Sequence, residues 1–143
     1  MSAIEITREK VQAYLTDIYG SIQVDGDGDF SVQRGSARMF ARVQDFGENE
    51  TLVTVFTPLV RGAKTSADLF EYVALSNTRF IFGRLELSVS EDGTADIFLA
   101  HNLLGDYLDK DELGYVFVGM LGSADELDNE IAEQFGGAVF HAE

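Results

Sequence analysis

The chain has 143 residues, 45% of them hydrophobic and 24% charged, which suits one domain of ordinary size and is too apolar for a disordered segment. Its formal net charge is −15, from 10 basic and 25 acidic residues, and it has no cysteine. That charge argues against nucleic acid and anionic membrane as partners, and the missing cysteine removes disulfides, thiolate catalysis and cysteine-ligated zinc.

The acidic excess is uneven: residues 1–71 carry a net −4 and residues 72–143 a net −11. The opening "MSAIEITREK" has no basic start followed by a long apolar run, so no signal peptide is expected, and no stretch approaches the roughly 20 apolar residues of a membrane span. A cytoplasmic protein is the expectation. No linker, low-complexity tract or repeat interrupts residues 1–143, which read as a single domain.

Ile4 to Tyr19 reads as a helix, with Val11, Leu15 and Ile18 on one apolar face and Tyr14 beside them. Thr7 suits its N-cap, Ile6 and Val11 a hydrophobic staple, and Gly20 the position past its end. Ser21–Val24 suggests a short strand, Phe30–Arg34 a second that ends at the turn signal "RGS", and Ala37–Gln44 a third. Leu52–Leu59 is a fourth, β-branched and aromatic, stopped by Pro58. Thr65–Asn77 reads as a second helix, with Thr65 and Asp68 as a capping box. Phe82–Val89 and Thr94–Leu103 form a hairpin around "SEDGT". Asp111–Leu121 is a third helix, restarted at Ser123 with Glu126 closing a box and ended by Gly136-Gly137; its restarted part has Leu127, Ile131 and Phe135 as an apolar stripe. "AVFHAE" is left as a tail. Runs of strands separated by single helices argue for an α+β domain with helices packed on an antiparallel sheet.

Catalytic signals are absent. His101 and His141 have no partner at metal-binding spacing, and no HExxH, G-x-S-x-G or Walker A pattern occurs. The acidic pairs Glu91-Asp92, Asp111-Glu112 and Asp125-Glu126 fall in turns or first helical turns, where solvation and the helix dipole account for them. No catalytic residue, metal ligand set or cofactor is expected.

"VDGDGDF" places Asp25, Asp27 and Asp29 at alternating positions, as a calcium loop begins. Counted from Asp25, position six is Phe30 and position twelve Ser36, where that loop needs glycine and a bidentate glutamate. A Gly/Asp turn is the preferred reading and a cation site the alternative.

Two surfaces are more informative. The second helix is apolar over an arc of roughly 200°, twice what a one-sided helix needs. Such a helix either lies under a second layer or meets another subunit, and on the second reading Phe70, Val73, Ala74 and Asn77 are expected at a homodimer interface. In "ARMFARVQ", Arg38, Phe40 and Arg42 alternate with Met39, Ala41 and Val43, which puts two arginines around an aromatic on the face away from the core. Either this is a solvated sheet face with one tolerated aromatic, or, on the functional reading, these three are the peptide-binding residues. Something acidic should meet the arginines: a partner, or the chain's own segment 106–143, which carries a net −9.

The α-β-β-β-α-β-β-α order, the small acidic composition, "VDGDGDF" leading into "ARMFARV", and the closing "ADELDNEIAEQFGG" together resemble the YbjN / type III secretion chaperone-like group, including the CesT-like chaperones. The phrases look like those of its actinobacterial members, and the resemblance covers Ile4 to Gly137. It implies a non-enzymatic fold, commonly dimeric, that holds an extended segment of a partner, and a regulatory role for YbjN-like members. It brings no catalytic residues. A protein or peptide partner is thus expected. An acidic regulatory domain that binds a small ligand or cation at Asp25/Asp27/Asp29 is the runner-up, and an enzyme using dispersed carboxylates the third reading.

Overall fold

A computed structural model describes residues 1–34 and 37–140; Gly35 and Ser36 of the expected "RGS" turn, and His141 to Glu143, lie outside the described residues. Three helices and seven strands follow in the order α1 (Ala3–Tyr19), β1 (Gln23–Val24), β2 (Phe30–Arg34), β3 (Ala37–Asp45), β4 (Thr51–Lys64), α2 (Ala67–Ser76), β5 (Arg84–Val89), β6 (Thr94–Leu104), α3 (Lys110–Phe135) and β7 (Ala138–Val139). A single 3-10 turn, Gly105–Tyr107, joins β6 to α3. The chain is α+β, as expected.

All strand pairs are antiparallel, in the spatial order β1-β2-β3-β4-β6-β5. β4 is the spine. It pairs with β3 over Thr51–Phe56 and with β6 along most of its length. Pro58 does not stop it. The strand runs six residues further, because the register shifts after Pro58 let the ladder with β6 resume beyond a residue that has no N–H to donate. The far end of β4 is covered by the segment read as a tail, since Ala138 and Val139 pair with Arg61 and Val60 as β7. Gly137 allows that approach: its φ is +87°, and a Cβ there would sit 2.6 Å from the Arg61 carbonyl oxygen.

The helices lie on one face of the sheet. Val11 and Leu15 of α1, Leu69 and Val73 of α2, and Leu113, Phe117, Met120, Leu127 and Ile131 of α3 enter one cluster with Met39, Val43, Val53, Val55, Ile97 and Leu99 of the strands. Three helix starts differ from expectation. Ser2, not Thr7, caps α1, its Oγ accepting from Glu5 N–H at 3.2 Å. Thr7 is instead a buried residue within the helix, hydroxyl to hydroxyl with Thr51 at 2.7 Å, and Ile6 points outward, so the staple does not form. Ser66, one residue beyond Thr65, caps α2 through Leu69 N–H. α3 does not restart at Ser123. It is one helix of 26 residues capped by Asp109, and Ser123 bonds back to the Gly119 carbonyl at 3.2 Å, which satisfies the hydroxyl without opening the helix. A Ser-x-x-Glu pattern signals a start only where the preceding residues leave the helix, and here Val116, Phe117 and Met120 hold them against the sheet.

No helix among the described residues is long and apolar enough to cross a membrane.

Candidate functional site

Among the described residues, the other face of the sheet carries no helix. Register fixes what it shows: Phe40 of β3 stands opposite Phe56 of β4, Phe56 opposite Ala100 of β6, and Ala100 opposite Arg84 of β5. One step along, Pro58 stands opposite Phe98, and Phe98 opposite Glu86. Because side chains alternate, every one of these lies on the same side, away from the core. Phe40, Phe56, Pro58 and Phe98 are half-buried although no helix among the described residues covers them, and Phe140 lines a second depression with Pro58 and Phe98. The Phe40 and Phe56 rings stack at 5.1 Å with a 10° interplanar angle.

The expected trio of Arg38, Phe40 and Arg42 is brought together on this face, and both arginines are fixed. Arg38 donates to Gln23 Oε1 (2.7 Å), Ser31 Oγ (3.0 Å) and Gln33 Oε1 (2.6 Å), all on β1 and β2. Arg42 makes a two-pronged pair with Asp29, Nε to Oδ1 at 3.0 Å and Nη2 to Oδ2 at 2.7 Å, and its guanidinium lies over the Phe56 ring, 5.2 Å from the centroid. The acid that meets Arg42 is therefore Asp29, and not the 106–143 segment. The hydrogen bonds that Arg42 donates to Asp29 hold its pKa above the ordinary value.

The aspartate turn and the arginine strip are thus one unit. Asp25 Oδ1 accepts from the N–H groups of Asp27 (2.9 Å) and Asp29 (3.0 Å), Gly28 sits at φ +85°, and Arg8 holds the Gly28 carbonyl at 2.8 Å. These bonds are what an aspartate-headed turn makes. The three carboxylates lie within 4.8 Å of one another, but Asp25 faces backbone donors and Asp29 faces Arg42.

A shallow depression of about 330 Å³ crosses the bare face. Arg42, Thr54, Phe56, Glu86, Phe98 and Ala100 line it. Its Glu86 rim is already paired, to Arg84 at 2.7 Å. Phe56, Phe98, Ala100, Arg84 and Glu86 went unassigned in the sequence. The signal was there: "LVTVFTP" and "DIFLAHN" each set an aromatic among the polar positions of an alternating strand.

The expected interface residues on α2 divide. Val73 is only 9% exposed and belongs to the core, and Asn77 is used internally, its Oδ1 accepting from Leu85 N–H at 2.6 Å. Phe70 (47% exposed) and Ala74 face outward, as does Leu75 (63%), with Ile81 beyond the helix at 89%. The inner side of α2 is anchored to α3, where Tyr72 donates to Glu130 at 2.9 Å and meets Phe135 edge-on.

His101 lies on the covered side of β6. Its Nδ1 accepts from Gly83 N–H at 3.1 Å and Phe82 stands edge-on to its ring. Burial, helped by Arg84 and opposed by Glu112, lowers its pKa. No second histidine or nucleophile meets it among the described residues, so it reads as a tie for the chain entering β5.

No functionally curated protein sequence matches the chain. Among solved structures, a chain of the ExsC–ExsE complex shares the fold, with a TM-score of 0.63 and 15% identity over 92% of this chain and 97% of that one. An uncharacterized protein from Methanothermobacter thermautotrophicus aligns over 91% of this chain and 99% of its own, at 15% identity and a TM-score of 0.48. The model of the T3SS (YopN, CesT) and YbjN peptide-binding chaperone 1 family, TY-Chap1, matches residues 5–143, and the chain belongs to that family.

Proposed function

We propose that this protein is a non-enzymatic, cytoplasmic peptide-binding module, chaperone-like or regulatory in the manner of YbjN-like members, and that it holds an extended segment on the bare face of its sheet. The observation that carries the reading is the strip of Phe40, Phe56 and Phe98, half-buried with no helix over it among the described residues and edged by Arg38 and Arg42. An extended segment laid there covers the aromatics, which supply area, while the fixed arginines supply direction. Family membership supports a peptide as the ligand. The similar fold in the ExsC–ExsE structure belongs to a complex of two proteins, which agrees with a protein partner.

A random peptide library displayed on phage, panned against the native protein, tests this. Enriched peptides should shift the backbone amide resonances of β3, β4 and β6 around Phe40, Phe56 and Phe98. Binders that perturb only the helices would place the site elsewhere, and failure to enrich any peptide would remove the reading.

We further propose a homodimer joined through the outward side of α2, a reading supported by Phe70, Ala74 and Leu75 lying exposed there. Phe70→Asp sets a carboxylate in that contact, which a desolvated interface does not tolerate unpaired. Light scattering should read a dimer for the wild type and a monomer for the variant; a wild-type monomer at tens of micromolar overturns the dimer.

A further inference from the structure

The bare face is not uniform, and one depression on it has a definite chemistry. Along β6 the outward positions run Phe98, Ala100, Asn102, so a methyl group stands between two larger side chains. Ala100 is also flanked across the ladder by Phe56. A single small residue among aromatics leaves a space walled by Phe56 and Phe98 and floored by Ala100, of about 330 Å³. That suits one aromatic side chain, whose ring meets two aromatic walls in the offset or edge-on contacts that such rings favour.

Charge sets the second feature of the ligand. Both charged rims are paired, Glu86 with Arg84 and Arg42 with Asp29, and they differ in which side chain reaches solvent. Arg42 on the opposite rim is held by Asp29 through Nε and Nη2 only, so Nη1 is the guanidinium nitrogen outside that pair. Asp29 is 3% exposed and Arg42 is not buried, so the pair acts as a bracket: an inner carboxylate fixes the fork over Phe56 and its outer edge stays toward solvent. A guanidinium has five N–H donors, and a second carboxylate can accept from those Asp29 leaves unused.

Resting on the peptide-binding reading above, we propose that the Phe56–Ala100–Phe98 depression takes one aromatic side chain of the bound segment, and that Arg42 takes a carboxylate two residues away from it. In an extended chain, residues i and i+2 project to the same side about 7 Å apart, which matches a fork that already borders the depression. The recognised pattern is aromatic-x-acidic, in one direction or the other along the chain.

The experiment is the phage-displayed random library panned on the native protein, followed by titration of a fluorescently labelled synthetic copy of the most enriched peptide. The expected consensus holds an aromatic residue and an Asp or Glu at the i±2 position. Ala100→Ile fills the depression with a residue that strands favour. It should weaken that peptide at least about tenfold, the loss expected when a central anchor is excluded, with little change in melting temperature. Replacing the peptide's acidic residue by its amide should weaken binding to the wild type and not to Arg42→Gln. Should Ala100→Ile fold poorly, the wild-type resonances of Phe56, Phe98 and Ala100 report the same contact without a substitution. Enriched peptides that lack the pattern yet bind the bare face overturn the anchor proposal and leave the peptide-binding reading standing. Failure to enrich any peptide overturns both.

Discussion

β3 presents its two faces to different worlds. Met39 and Ala41 are fully buried under α1 and α3, whereas Phe40 and Arg42, the residues next to them, look away from every helix. The covered face follows a simple rule, apolar at each alternate position. The bare face follows no such rule. It carries phenylalanines where solubility alone would place polar side chains, and it holds its arginines by bonds to β1, β2 and the aspartate turn. Stability resides mainly in the first face. The second holds its arginines in place while leaving them accessible, as the proposed docking surface requires.

The sharpest way to break this contrast is to truncate one aromatic on each side. Phe117→Ala, on the covered side and fully buried, should cost about 3–5 kcal/mol, read as a large drop in the denaturation midpoint. Phe40→Ala, on the bare side, should cost about 1 kcal/mol, roughly one cross-strand aromatic contact. Comparable losses would mean that the bare face is a second core, and the proposal that it is a docking surface would fall.

A smaller effect is expected where the two features of the bare face join. Asp29→Asn keeps the shape of the turn and removes the charge that fixes Arg42. Because Arg42 is half in solvent, the stability loss should stay below about 1 kcal/mol. The guanidinium should then gain mobility, visible as an averaged Arg42 Nε–H resonance. A rigid Arg42 in the variant would show that Phe56 alone holds it.

The smallest effect belongs to His101 on the covered side. Burial, then Arg84, lowers its pKa from the ordinary 6.5, with Glu112 opposing. The unfolded chain therefore binds the proton first as pH falls through 6.5. The His101 contribution is complete above that pH and is lost below it, down to the folded-state pKa. Protonation of Nδ1 would also break its bond from Gly83 N–H. His101→Asn keeps an acceptor and removes the titration, so the melting temperature of the variant should fall less between about pH 7 and pH 5. Parallel curves would show that the acid sensitivity comes from other groups.

Residue pattern alone determined what is periodic. The α+β class, the antiparallel strands, the α1 stripe of Val11 and Leu15, and the outward set of Arg38, Phe40 and Arg42 all follow from periods of 3.6 and 2. Local chemistry was legible where it closes on itself, as in the aspartate turn, whose Asp25 side chain binds its own backbone. Three things had to wait for the tertiary structure. Helix starts did, because Thr7, Thr65 and Ser123 are as able to cap as Ser2, Ser66 and Asp109, and only packing decides which residues enter the helix. The division of α2 did, because a wheel shows an apolar arc but not which part of it the core takes, and Val73 went inward while Phe70 stayed out. The depression did, because it joins β3, β4, β5 and β6 at Arg42, Phe56, Glu86 and Ala100. Those residues are far apart in the chain and neighbours only through register, a property of pairs of strands that no single strand encodes.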